Sequence, residues 1–188
     1  MFDNWDCEYF IDVIIHCTIT GLSEGIIEPN IESLEVSLSA YHELCKRFTP
    51  DRVVLRIDPI VNWEKDKDLI KHIAKEAERR VRISFVDLYP HVKERFKNAK
   101  IELPFDTFHM PLDVRMKAWK ELGEPEVCCE PDMENVPCVS QLDCEILGVE
   151  PSNKLKKQRS LCGCLANKVE LCTQPPKCTY GCLYCYWK

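Results

Sequence analysis

A chain of 188 residues, 45% hydrophobic and 30% charged with a net charge of −6, is long enough for one domain with a sizeable core. Its acidity argues against a nonspecific nucleic-acid binder, which carries a basic footprint. No run of about 18 apolar residues occurs, so no membrane span is expected; the acidic start "MFDNWDCEYF" lacks the basic region of a secretory signal, so a cytoplasmic location is expected.

From residue 11 to about 130, apolar strand-like runs alternate with amphipathic helices. The β-branched stretch "IDVIIHCTITG" reads as a strand that stops at Gly21. After "EPN", residues Ile31, Leu34, Leu38, Tyr41, Leu44 and Phe48 recur at helical spacing, with Asn30 as the N-cap. "RVVLRIDPI" is a second strand, broken by Pro59, and Leu69, Ile70, Ile73, Ala74 and Ala77 mark one face of a second helix. "RVRISFVDLY" is a third strand, ended by Pro90 and followed by a short helix. Another helix runs from about Pro111 to Leu122, stopped by Gly123 and Pro125, and "EVCCEP" reads as a fourth, short strand.

This alternation predicts an α/β fold: a partial (β/α) barrel-like parallel sheet over residues 1–130, with a cysteine-rich, irregular region over 131–188 in the same domain. In such folds the working residues sit at the C-terminal ends of the strands. Those ends carry Thr18 and Thr20, Arg56 and Asp58, Ser84 and Asp87, and Cys128 and Glu130. Singly, each suits a turn or a satisfied ion pair; recurring at four strand ends, they are expected to line one site. Arg56, Asp58, Asp87 and Glu130 are its candidate catalytic groups, and Thr18, Thr20 and Ser84, with Tyr184 near the chain's end, its candidate cofactor contacts. Beyond Pro131 the periodicity fails, and such a stretch orders itself only if metal binding supplies folding energy. The basic run Lys154, Lys156, Lys157 and Arg159 reads as a solvated loop.

Thirteen cysteines are the unusual feature, and ten of them fall between Cys128 and Cys185. Clustering, an odd count and the lack of an export signal favour metal ligation over disulfides. In "KCTYGCLYCYWK", Cys178, Cys182 and Cys185 are spaced C-x3-C-x2-C. Short thiolate spacings wrap a loop around an iron–sulfur core, and three close ligands leave one iron of a [4Fe–4S] cluster open. With Tyr184 just before the last cysteine, the motif resembles the cluster loop of the radical S-adenosylmethionine (SAM) superfamily. That resemblance implies that the open iron chelates SAM and that the reduced cluster cleaves its sulfonium. The resulting 5′-deoxyadenosyl radical abstracts hydrogen from a substrate, and an electron donor such as a flavodoxin or ferredoxin is implied. A zinc knuckle of Cys162, Cys164, Cys182 and Cys185 is the competing reading.

The stretches "TITGL", "IEPN", "RVVLRIDPI", "RISFVDLY", "QRSLCGC" and "CTYGCLYCY", in that order, resemble a bacterial domain-of-unknown-function family, number 1848. Its C-terminal cysteines are likened to the radical SAM cluster loop. The resemblance spans nearly the whole chain and implies a barrel-like domain with the cluster loop attached at the other end, as if circularly permuted. The chain end and the first strand are then expected to meet in space. Members usually carry further βα material before "TITGL", so a separate chain supplying barrel strands is an expected partner. An N-terminally incomplete enzyme fragment is one alternative reading, and a noncatalytic iron–sulfur or zinc protein is another. A third is nucleic-acid repair, because "CTYGCLYCY" is similar to the cluster loop of spore photoproduct lyase; nucleic acid is otherwise an unsupported partner.

Cys128, Cys138, Cys162 and Cys164 match where the resembled family places cysteines, with Cys144 as the alternate to Cys138. They are candidates for a second iron–sulfur cluster or zinc site. Strand alternation through "EVCCEP" places Cys128 and Glu130 on one face and assigns Cys129 to packing. Cys172 has no assigned role, and Cys7, Cys17 and Cys45 read as small buried hydrophobes.

Overall fold

Val53 to Ile60 is almost continuously buried, the pattern of a strand covered on both faces, and it forms the centre of the sheet. The computed structural model describes residues 13–157, 159–167 and 178–187; Cys7 and Cys172 lie outside them. In chain order the elements are β1 (Ile15–Thr18), α1 (Leu34–Phe48), β2 (Val53–Ile60), α2 (Trp63–Lys75), β3 (Arg80–Phe85), α3 (Pro90–Asn98), α4 (Leu112–Glu121), β4 (Glu126–Val127) and α5 (Gln141–Leu147). All four strands are parallel, in the order β1-β2-β3-β4. This is the expected mixed α/β class, with a parallel sheet of four strands among the described residues. Among the described residues, no helix is long and apolar enough to cross a membrane.

Three local expectations change. Pro59 does not break β2, because a register shift between Ile57 and Ile60 accommodates the missing N–H. The first helix begins at Leu34, since Ser33 Oγ accepts from the Val36 N–H, and Asn30 is left for another task. The region beyond Pro131 contains α5, opened by a capping box between Ser140 and Asp143. Seven residues are too few for a helical period to stand out in the sequence.

The two faces of the sheet differ in chemistry. Leu55, Ile57, Ile83 and Val127 belong to the main core together with Tyr41 and Phe48 of α1 and Trp63, Ile70 and Ile73 of α2. On the other face, register places Thr18, Arg56, Arg82 and Glu126 in one row across the sheet. Arg82 is wholly buried, and its Nε donates to Glu126 Oε2 at 2.8 Å. Arg80 donates from Nε to Glu126 at 3.0 Å and from Nη1 to Asp143 at 2.9 Å, which fixes α5 to this polar side.

His16 of β1 is held well below its ordinary value, at about 4, by burial first and then by the charges of Arg82 and Arg56. Its folded pKa is depressed, so between about pH 6.5 and 4 the unfolded chain binds the proton and the folded chain does not. Stability is therefore expected to fall by about 3 kcal/mol as pH drops through that window. Urea unfolding of wild type and His16→Gln checks this: the wild-type slope should be steeper between pH 4 and 6.5, and equal slopes would disprove it.

A second apolar cluster sits past the C-terminal ends of β2 and β3. Val61, Val86, Leu88, Val92 and Phe96 are buried there, with Leu22, Ile27, Leu183 and Tyr184 packed against them. The C-terminal loop is thus anchored by hydrophobic contact at the end of the sheet where parallel folds place their sites.

Candidate functional site

A cavity of about 630 Å³ opens at the strand ends. Thr18, Arg56, Asp58, Ser84, Asp87 and Cys128 line it, so the structure brings together residues from the ends of all four strands. Asp58 is ion-paired with Arg56 and accepts a hydrogen bond from Ser84 Oγ. Asp87 accepts from Arg159 Nη1 at 3.2 Å, and its other oxygen lies 2.8 Å from His109 Nδ1. Two expected members stand behind the wall rather than on it. Thr20 is buried, and its Oγ1 accepts from the Leu22 N–H at 3.1 Å. Glu130 is buried, accepting from the Phe85 N–H at 2.7 Å and from Arg115 at 3.5 Å. Burial pushes its carboxyl up to about 7 against the opposing Phe85 hydrogen bond and Arg115 charge. Its contacts are those of a group that braces the end of β3.

Cys129 departs from the packing role expected of it. β4 ends at Val127, so strand alternation no longer governs the next residues, and Cys129 takes a left-handed φ of 62°. It lines the cavity beside Cys128. Tyr89, Arg159 and Tyr186 also line the cavity, and sequence reasoning missed them. Arg159 read as part of a solvated basic run; nothing in its local sequence signals that it folds back onto Asp87. Tyr186 follows the cysteine motif directly, the one available hint.

The C-terminal loop closes one side of this cavity, where Tyr184, Cys185 and Tyr186 form part of the wall. Gly181 turns the loop with a φ of +70°, a conformation L side chains rarely adopt. Asn30 Nδ2 donates to the carbonyls of Thr179 at 2.9 Å and Tyr180 at 3.2 Å, and the Leu183 N–H donates to Ile27 O at 3.0 Å. Tyr184 donates its hydroxyl to Glu28. From α3, Arg95 donates to the carbonyls of Cys185 and Trp187, and His91 Nε2 lies 2.9 Å from Tyr186 O. The loop is therefore fixed to the segment that follows β1, and Thr18 at the end of β1 lines the same cavity as Tyr184 and Cys185.

Cys178 is exposed, while Cys182 and Cys185 are partly buried. Burial raises the Cys182 thiol, and the charges of Cys185 and Cys178 add to the rise. Among the described residues, no three His, Cys, Asp or Glu side chains already stand around one point as a metal cage. Cys162 Sγ donates to Cys164 Sγ at 2.9 Å, and Cys164 also bonds Cys138. Cys144, the alternate to Cys138, is buried within α5.

A family model described as "Domain of unknown function (DUF1848)" matches residues 6–187. The chain belongs to this family. No curated protein and no solved structure matches it. Membership in the DUF1848 family accounts for the order of the stretches from "TITGL" to "CTYGCLYCY", and the activity rests on the site's own geometry.

Proposed function

We propose that this DUF1848 chain binds a [4Fe–4S] cluster through Cys178, Cys182 and Cys185 and SAM in the adjoining cavity, for radical hydrogen abstraction from a substrate. The observation that carries this reading is the seat of the three-thiol loop. It is bound to the segment after β1, with Cys185 on the wall of the strand-end cavity. The donor set suits the group, since three soft thiolates on a glycine-turned loop leave one iron free for an exogenous ligand. When bound, the cluster supplies the electron that splits a sulfonium.

The chain's own residues bind and orient the cofactor. A cavity of about 630 Å³ lies within the range of small-molecule sites, about 300–1,000 Å³. The rings of Tyr89, Tyr184 and Tyr186 offer apolar faces for a purine. Arg56 and Arg159 present planar guanidinium groups suited to a carboxylate, and Asp58 and Asp87 hold those groups in place. Thr18 and Ser84 add hydroxyls at the strand ends. Leu183 and Tyr184, packed on the apolar cluster, shield the cavity floor from water.

The test is anaerobic reconstitution followed by assay. The protein should be brown with about four iron and four sulfide. With SAM and dithionite, or a reduced flavodoxin or ferredoxin, it should release 5′-deoxyadenosine. A cluster-loaded protein that leaves SAM intact would refute the catalytic reading and leave an iron–sulfur scaffold. A colourless protein with stoichiometric zinc would remove the cluster as well.

A further inference from the structure

Four thiols from three separate segments lie in two close pairs at the strand-end cavity, not yet arranged as a metal cage. Cys128 Sγ lies 3.2 Å from Cys138 Sγ, and Cys162 Sγ donates to Cys164 Sγ at 2.9 Å. Cys164 hydrogen-bonds Cys138 and so links the two pairs into one chain of sulfurs. The backbone holds this convergence in place. The Leu165 N–H donates to Val139 O at 3.0 Å, and the Lys156 N–H donates to Cys164 O at 2.8 Å. Gly163 lets the "CGC" turn press against the residue before Cys138, for a Cβ there would stand 3.2 Å from Pro137 Cγ.

An independent observation concerns charge. Arg56 Nε and Arg82 Nη1 are buried and have no hydrogen-bond partner among the described residues. Both guanidinium groups act electrostatically on Cys128 and Cys138. Arg56 is paired with Asp58 and Arg82 with Glu126, yet each keeps one buried N–H unused. Burying such donors unpaired is costly unless a negative group accompanies them.

We infer that Cys128, Cys138, Cys162 and Cys164 form a second metal site, a tetrathiolate that holds one thiophilic divalent ion such as zinc. Four thiolates around such an ion carry a net charge of −2, which Arg56 and Arg82 are placed to balance. Zinc–sulfur bonds of about 2.3 Å in a tetrahedron set neighbouring sulfurs about 3.8 Å apart, a short outward step from the pairs seen here. A four-iron cluster binds each thiolate at a different corner and spreads the sulfurs further, so a single ion suits these close pairs better. Cys128, Cys138 and Cys162 also line the strand-end cavity, while Cys164 is buried behind them. The ion therefore ties the cysteine-rich region to β4 at the edge of the cavity. The site shares Arg56 and part of the cavity wall with the proposed SAM site, but its metal binding requires neither SAM nor the C-terminal thiols.

The experiment uses the full chain with Cys178, Cys182 and Cys185 replaced by alanine, kept reduced and anaerobic, and loaded with zinc or cobalt alone. One ion per chain is expected, with the visible spectrum of tetrahedral cobalt thiolate. Alkylation mapped by mass spectrometry should show Cys128, Cys138, Cys162 and Cys164 protected only when metal is present. Cys128→Ser or Cys164→Ser added to this chain should weaken binding by more than about 100-fold, beyond what outer-sphere changes give. Cys144→Ser and Cys45→Ser should leave binding unchanged. The same mapping on the unmutated, zinc-loaded chain gives the answer if the alanine variant does not fold. Absence of a bound ion, or alkylation of these four cysteines regardless of metal, overturns the proposal. Iron with sulfide at these four positions overturns the single-ion form.

Discussion

Alanine at any one of Cys178, Cys182 or Cys185 is expected to reduce the iron and sulfide held at the C-terminal loop from about four each to background. In the proposed site three protein ligands would hold the cluster with one iron open, so losing a thiolate would leave only two and no stable seat. The loop itself should survive these substitutions, because its anchors are not its sulfurs. Asn30, Arg95 and His91 grip its backbone carbonyls, Ile27 O accepts from the Leu183 N–H, and Leu183 is packed on the second apolar cluster. Thermal unfolding of each variant in the absence of iron should therefore resemble that of the iron-free wild type. Iron and sulfide analysis with electron paramagnetic resonance checks the loss. A variant that still assembles a full complement of iron would show that the ligands lie elsewhere.

Arg82→Ala is expected to destabilise the fold by about 3 kcal/mol, at the lower end of what breaking a buried ion pair costs. Arg82 is wholly buried and donates to Glu126, which would lose its closest partner yet keep Arg80. That remaining pair is why the loss should not reach the upper end of the range. Replacing both partners, Arg82→Met with Glu126→Leu, should recover part of the loss, because neither charge is then left buried alone. Urea unfolding at neutral pH measures each variant. A loss below about 1 kcal/mol for Arg82→Ala would mean that water or neighbouring groups already compensate the pair.

How these residues come to face one another could be read only in part from the chain. The period-2 and period-3.6 patterns marked β1 to β3 and α1 to α4, because burial of one face or both is written into neighbouring residues. The same alternation placed Thr18, Arg56, Asp58, Ser84 and Asp87 at strand ends, where the cavity is found. It failed where an element is too short to show a period. β4 has two residues, so Cys129 joins the cavity and Glu130 withdraws behind it. Helix α5 has seven residues and is recognised by its capping box rather than by a stripe.

The sequence by itself determined the α/β class, the family and the identity of the thiols, since these rest on local spacing and on motifs in order. Only the tertiary structure decided which distant groups meet. Asn30 caps no helix but holds the C-terminal loop, a contact across about 150 residues that no local pattern encodes. Arg159 left the solvated run to pair with Asp87. Cys162 pairs with Cys164, and Cys164 reaches Cys138 from another segment. Cys138 lies beside Cys128, while Cys144 is buried within α5. Each outcome follows from chain packing over the polar face of the sheet, where contact depends on the whole fold and not on neighbours in sequence.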